Sequence, residues 1–129
     1  MSDIRIRDLN TIDEYRQVVA LEHDIWGYTD SGDVVTVPVF IITMKRGAIL
    51  LGAFDGGRMV GFSWSLVGTK DGRPMQWSHM TGVLPEYRGG LGFELKLAQR
   101  QRALARGYDL IEWTFDPLQA LNAHFNLAK

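Results

Sequence analysis

Cysteine is missing from this chain altogether, and its absence removes several kinds of chemistry at once. Disulfides, thiolate zinc sites and a cysteine nucleophile are all excluded. The histidines, His23, His79 and His124, stand far apart with no metal-ligand spacing, so no metal site is expected. An excess of charge of one sign is also lacking. The net charge is −1, which gives no field to attract nucleic acid, so no nucleic-acid partner is expected. No apolar run approaches the roughly 20 residues that span a bilayer, and the start MSDIRIRDLN has no apolar signal-peptide core. The expectation is a cytoplasmic protein without a membrane partner.

What is present is ordinary in bulk. A length of 129 residues suits one domain, 1–129, with a real core. The 46% hydrophobic and 22% charged content is that of a soluble globular chain. No repeat, linker or low-complexity segment interrupts it.

Periodicity divides the chain into elements. IRIRDL (4–9) alternates as a half-buried strand does. A helix follows, capped by Asn10 or Thr11, with Asp13 and Glu14 in its first turn and its end at Gly27. After the loop-like YTDSGDVVT, the stretch VPVFIITMKRG is read as a short helix with Pro38 in its first turn, although its valines and isoleucines favour a strand. AILLGAF and RMVGFSWSLVG, joined by Asp55-Gly56-Gly57, form a hairpin. TKDGRP is a second turn, and MQWSHMTGVL is the next strand. A long helix then carries Phe93, Leu97, Leu104 and Tyr108 on one side, with Ala98 and Ala105 beside them, and stops at Gly107. Its basic residues from Lys96 to Arg106 read as a solvated face. DLIEWTFD is a further strand, and PLQALNAHFNLAK a helix opened by proline. The order β-α-α-β-β-β-α-β-α makes an α+β fold with a mostly antiparallel sheet.

The chemistry concentrates between the MQWSHMTGVL strand and the long helix. There, Arg88-Gly89-Gly90-Leu91-Gly92 leads from a strand into a helix start. A helix start presents unpaired N–H groups and a positive dipole end, glycines let backbone approach a bulky anion, and arginine adds charge-assisted bonds. The stretch is either a phosphate cradle or a tight connection that needs glycine only for its backbone angles. It is not a Walker A loop, because no glycine in it precedes lysine, nor a Rossmann turn, because Leu95 stands where the third glycine belongs.

GVLPEYRGGLGFELKLAQR resembles the acetyl-CoA-binding motif of the Gcn5-related (GNAT) N-acetyltransferases, V-x-P-x-[YF]-R-G-x-G-x-G between a strand and a helix. The order of elements is similar over nearly the whole chain, most clearly over 79–129. The resemblance implies acyl-CoA-dependent transfer to an amine, with acetyl-CoA as donor and no metal. It implies that Val83 and Leu84 offer backbone groups to the pantetheine arm. Arg88, Gly89, Gly90, Leu91, Gly92 and Phe93 would then surround the pyrophosphate, and Asn122 would reach the cofactor arm. Three departures accompany it. The loop is one residue shorter than the pattern. Leu127 stands where many members place a tyrosine acid, and leucine donates no proton. The family's final hairpin has no counterpart before Lys129, so the edge of the last strand is expected to be covered by a partner chain (a homo-oligomer), a swapped segment or further residues.

For the proton of the attacking amine, His79 is the first candidate base and Glu112 the second. With regular alternation, His79 shares a strand face with Thr81 and Val83. The competing readings are a hydrogen-bonded core histidine and a solvated or paired carboxylate. Glu22, His23 and Asp24 could draw an amine acceptor, small molecule or peptide, but also read as an ordinary solvated helix end. Trp64, Trp77 and Trp113 are expected in the core or lining a substrate pocket. Two other functions stay open beside catalysis: a CoA-binding module without activity, and a fragment acting through a partner chain.

Overall fold

In the computed structural model, which describes residues 3–27 and 34–113, the turns and caps predicted among those residues have physical counterparts. Strand β1 (Ile4–Asp8) leads into helix α1 (Ile12–Trp26) through a reciprocal cap at Thr11. The Glu14 N–H donates to Thr11 Oγ1 at 3.2 Å, while Glu14 Oε1 accepts from the N–H groups of Thr11 and Asn10. Helix α2 (Val37–Met44) carries Pro38 in its first turn, where no N–H is needed. Strands β2 (Ile49–Asp55), β3 (Arg58–Lys70) and β4 (Arg73–Val83) follow as antiparallel neighbours through the two short turns. Helix α3 (Leu91–Ala105) then returns the chain to β5 (Ile111–Trp113), which pairs parallel to β4.

The sheet order is β1-β2-β3-β4-β5, a mixed α+β arrangement in which β4 is flanked by β3 and β5. Helices cover both faces. Trp26 of α1 meets Phe62 edge-on at 5.8 Å and Phe40 of α2 meets Trp64 at 5.0 Å, so α1 and α2 lie on one face. Gly61 lies close to Leu95, which puts α3 on the other. This double cover explains why β2 is apolar without alternation, since all its residues but Asp55 are buried. Among the described residues no helix is long and apolar enough to cross a membrane.

Three sequence expectations change. First, the inward face of α3 is Leu91, Leu95, Ala98, Gln99 and Ala103, whereas Phe93, Leu97 and Leu104 are 45%, 42% and 45% exposed. Small and polar residues occupy the buried side, so counting large apolar residues selects the wrong stripe. Second, the basic residues of α3 are not simply solvated. Arg102 bonds Asp8 at 3.0 Å, Arg106 donates to the carbonyls of Gly47 and Ala48, and Lys96 lies 5.5 Å over the Trp113 ring. Third, alternation in β4 is not regular. Trp64 faces Met80 but Ser65 faces Ser78, leaving His79 as the extra residue of a bulge. The final predicted helix, with Asn122, His124 and Leu127, lies outside the described residues.

Gly52 sets a tight point in this packing. A Cβ there would stand 2.9 Å from Leu9 Cδ2 and 3.0 Å from Phe54 Cε1, both in buried side chains. Gly52→Ala is expected to lower stability by about 1–3 kcal/mol through overpacking, read by urea unfolding, and should cost less when introduced into a Leu9→Ala background, where its closest contact is removed.

Candidate functional site

The connection from β4 to α3 is pinned before it reaches the helix. The Leu84 N–H donates to Val60 O at 2.9 Å, and Pro85–Tyr87 forms a single tight helical turn. The Tyr87 hydroxyl donates to Asp55, and Glu86 pairs with Arg58 at 3.5 Å, fastening the loop to the β2–β3 hairpin. The hydrogen bond to Asp55 favours the protonated phenol and raises the Tyr87 pKa. Gly89 and Gly90 then adopt φ of 119° and 131°, which side chains rarely tolerate, and α3 begins at once with Leu91. These two residues let the loop close despite its missing position.

Gly90 supplies no side-chain cap, so the N–H groups of Leu91 and Gly92, at the first two positions of the helix, have no intrahelical partner. Gly92 is helical and not required by packing, because the nearest atom to an added Cβ would be Val83 Cγ2 at 3.9 Å. Glycine at 92 therefore serves neither the backbone nor the core. It leaves clear space in front of a positive helix end, beside the exposed Arg88, which has no ion-pair partner among the described residues. The side chain of Leu91 is buried and anchors the turn, while that of Phe93 is half-exposed. The arrangement suits an anion of phosphate type.

Backbone polarity extends the site along β4. Because the Leu84 N–H points to β3, the N–H and C=O of Val83 point to the opposite edge, the side on which β5 pairs. The Leu84 N–H is committed to Val60, and its carbonyl accepts from Tyr87 at 2.9 Å, which leaves Val83 as the backbone contact of the two.

Neither a protein-family model nor a curated protein matches the sequence. Solved structures do. An aminoglycoside acetyltransferase from an uncultured soil metagenomic sample, in complex with sisomicin, superposes with TM-score 0.78 at 16% identity, over 95% of this chain and 84% of that one. An N-acetyltransferase from Thermoplasma acidophilum in complex with coenzyme A gives TM-score 0.73 at 16% identity, over 95% and 86%. A GCN5-related glucosamine N-acetyltransferase region within a fungal multi-domain β-N-acetylglucosaminidase gives TM-score 0.71 at 21% identity, over 91% of this chain and 14% of that one. The chain has the GCN5-related N-acetyltransferase fold.

Within that fold the two candidate bases have different surroundings. His79 is exposed, and its ring meets Trp64 edge-on at 5.6 Å. Ser63 and Thr81 bond each other at 3.0 Å on the opposite face, since Ser63 and Trp64 are adjacent on β3. The bulge therefore turns His79 toward the α1 and α2 side, away from the face of Thr81 and Val83. Glu112 is ion-paired with Lys70, whose pKa it raises through their hydrogen bond. Trp64 is buried, and Trp77 and Trp113 are partly buried.

The helix end Glu22-His23-Asp24 divides. His23 and Asp24 are exposed, but Glu22 is wholly buried on the inward face with Val18 and Leu21. The sequence did contain the signal, since Glu22 stands four residues after Val18. Its Oε1 accepts from the Val35 N–H at 2.9 Å and Oε2 has no partner. Burial pushes its pKa up from 4.5 to about 7, partly offset by the bond from Val35 and the charge of His23. The unfolded chain releases this proton at lower pH than the folded one. Glu22 therefore favours folding below pH 4.5, and that contribution disappears as pH rises to about 7. Comparing Glu22→Gln with the parent by urea unfolding should show that the variant lacks a decline of up to about 3 kcal/mol across this window. At pH 8 it should be the more stable of the two.

Proposed function

We propose that this protein is an acyl-CoA-dependent N-acyltransferase that moves acetyl from acetyl-CoA to an amine by direct attack. The observation that carries the reading is the uncapped start of α3 behind Gly89-Gly90, with Arg88 beside it and open space at Gly92. On this reading the N–H groups of Leu91 and Gly92 hold the pyrophosphate with Arg88, and Gly89, Gly90 and Phe93 surround it. Val83 bonds the pantetheine arm along the β4 edge, and Asn122 contacts the same arm. Solved neighbours of this fold hold coenzyme A and sisomicin, which supports a CoA donor and an amine acceptor here.

The donor lies on the α3 side of the sheet and the acceptor comes from the side of α1 and α2, meeting at the β4 bulge. The amine nitrogen attacks the thioester carbonyl carbon, the C–N bond forms and the C–S bond breaks. His79, exposed at the bulge, takes the proton lost by the nitrogen. The thiolate leaves with a proton from water, its thiol being only weakly basic as an anion (pKa about 8.5). Glu112 has a second claim on that proton only if its pairing with Lys70 is broken.

Calorimetric titration with CoA tests the cradle. Arg88→Ala should weaken binding by about 1.5–3 kcal/mol, the scale of a charge-assisted hydrogen bond. Gly92→Val should remain folded, because a Cβ there meets nothing closer than Val83 Cγ2 at 3.9 Å, and should lose CoA binding. A folded Gly92→Val with unchanged affinity contradicts the reading. For the base, His79→Ala should lower kcat by about 100-fold without changing CoA affinity, in a thiol-release assay with an amine panel. Full activity in that variant would assign the proton to Glu112, to water or to an already neutral amine.

A further inference from the structure

Between α3 and the sheet, most polar side chains are satisfied. Ser63 bonds Thr81, Ser65 donates to Gln76 at 2.6 Å, and Gln76 donates to the Gly47 carbonyl at 3.1 Å. Three are not. Ser78 Oγ, both carboxamide atoms of Gln99 and Trp113 Nε1 are buried with no hydrogen-bond partner among the described residues. Buried groups of this kind are rare in folded proteins, and each one calls for a ligand, a water or an ion.

The three belong to one place. Ser78 and Trp113 are cross-strand partners at the β4–β5 pairing, so their side chains leave the sheet on the same face. Lys96 of α3 lies over the Trp113 ring, which identifies that face as the α3 side. Gln99 follows Lys96 by one helical turn on the buried side of α3, itself 0% exposed. Ser78 stands five residues before Val83, about 16 Å along the strand. If the cradle holds pyrophosphate, an arm extended along β4 would bring the acyl end of the donor here.

The chemistry of the three groups restricts what could satisfy them. The indole N–H only donates, and serine and glutamine can each donate as well. A methyl or longer alkyl tail would leave all of them unpaired. A tail hydroxyl, which accepts from the indole or serine and donates to the Gln99 carbonyl oxygen, would pair with both kinds of group. We propose that Ser78, Gln99 and Trp113 form an acyl-tail pocket, selecting donors whose acyl chain carries a hydroxyl beyond the thioester carbonyl. The inference rests on the acyl-CoA reading of the α3 cradle and adds donor selectivity to it.

Competition binding to the full chain with CoA, butyryl-CoA and 3-hydroxybutyryl-CoA tests it, since the last two differ by one hydroxyl. The hydroxyacyl donor should bind about tenfold more tightly than butyryl-CoA, the ratio expected for one added buried hydrogen bond. In Ser78→Ala/Gln99→Leu the two should bind within about twofold of each other, with affinity for CoA itself unchanged. The unliganded double variant should melt no lower than the parent, because apolar groups replace unpaired polar ones. Equal affinities for the two acyl-CoAs, with CoA still bound, would overturn the pocket and leave the cradle standing. Failure of CoA itself to bind would overturn both. A lower melting temperature in the variant would mean that these groups already have partners in the fold, and would also overturn the pocket.

Discussion

Backbone N–H groups that find no partner within their own helix impose the constraint on which this structure turns. The first turn of α3 presents them at Leu91 and Gly92, and no side chain at Gly90 closes the end. Such an end is kept in place only if the chain around it is held firmly. That support comes from both directions. Leu91 and Leu95 root the helix in the core, while Tyr87, Glu86 and the Leu84 N–H fasten the preceding loop to the β2–β3 hairpin. Gly89 and Gly90 then turn the chain over a single step between these anchors. A rigid mount around an unsatisfied helix end is the form expected of an anion site, because the dipole and the N–H groups are aligned before the ligand arrives.

The sheet separates the remaining chemistry onto two faces. Double cover by helices keeps β2 and most of β3 buried, while His79 of β4 is exposed. There the bulge at His79 breaks the alternation of β4, and one strand serves two surfaces. Thr81 and Ser78 face α3, while His79 stands against Trp64 on the side of α1 and α2. A cofactor held on one face and an acceptor approaching from the other would meet at this irregular segment. Trp26, edge-on to Phe62 and closely packed over Gly82, closes the α1 side nearby.

The sequence was legible where local chemistry decides structure. Thr11 with Glu14, Pro38, the two hairpin turns and the glycines before α3 each carry their own reason in adjacent residues, and the elements follow them. It misled where burial depends on partners distant in the chain. The inward face of α3 holds Gln99 and two alanines over a sheet face that carries Ser63, Ser65, Thr81 and Gln76, while the large aromatics Phe62 and Trp64 face α1 and α2, and no periodicity within the helix reveals that. The β4 bulge depends on register against β3, which a single strand does not encode, so His79 was assigned to the wrong face. Glu22 reads as one of three charges at a helix end, yet its position four residues after Val18 sends it inward. The arginine and glycines of the cradle were found because their role is local, whereas Ser78 and Trp113 acquire theirs only when β4 and β5 pair.

Amide shifts of isotopically labelled protein during titration with CoA test the central claim most directly. Each N–H in the cradle is itself the proposed contact, so the measurement reads the site without substitution. The account predicts the largest shifts at Leu91, Gly92 and Phe93, with further changes at Gly89, Gly90 and Val83. Saturable binding that leaves these amides unmoved, or that perturbs another surface instead, would contradict it.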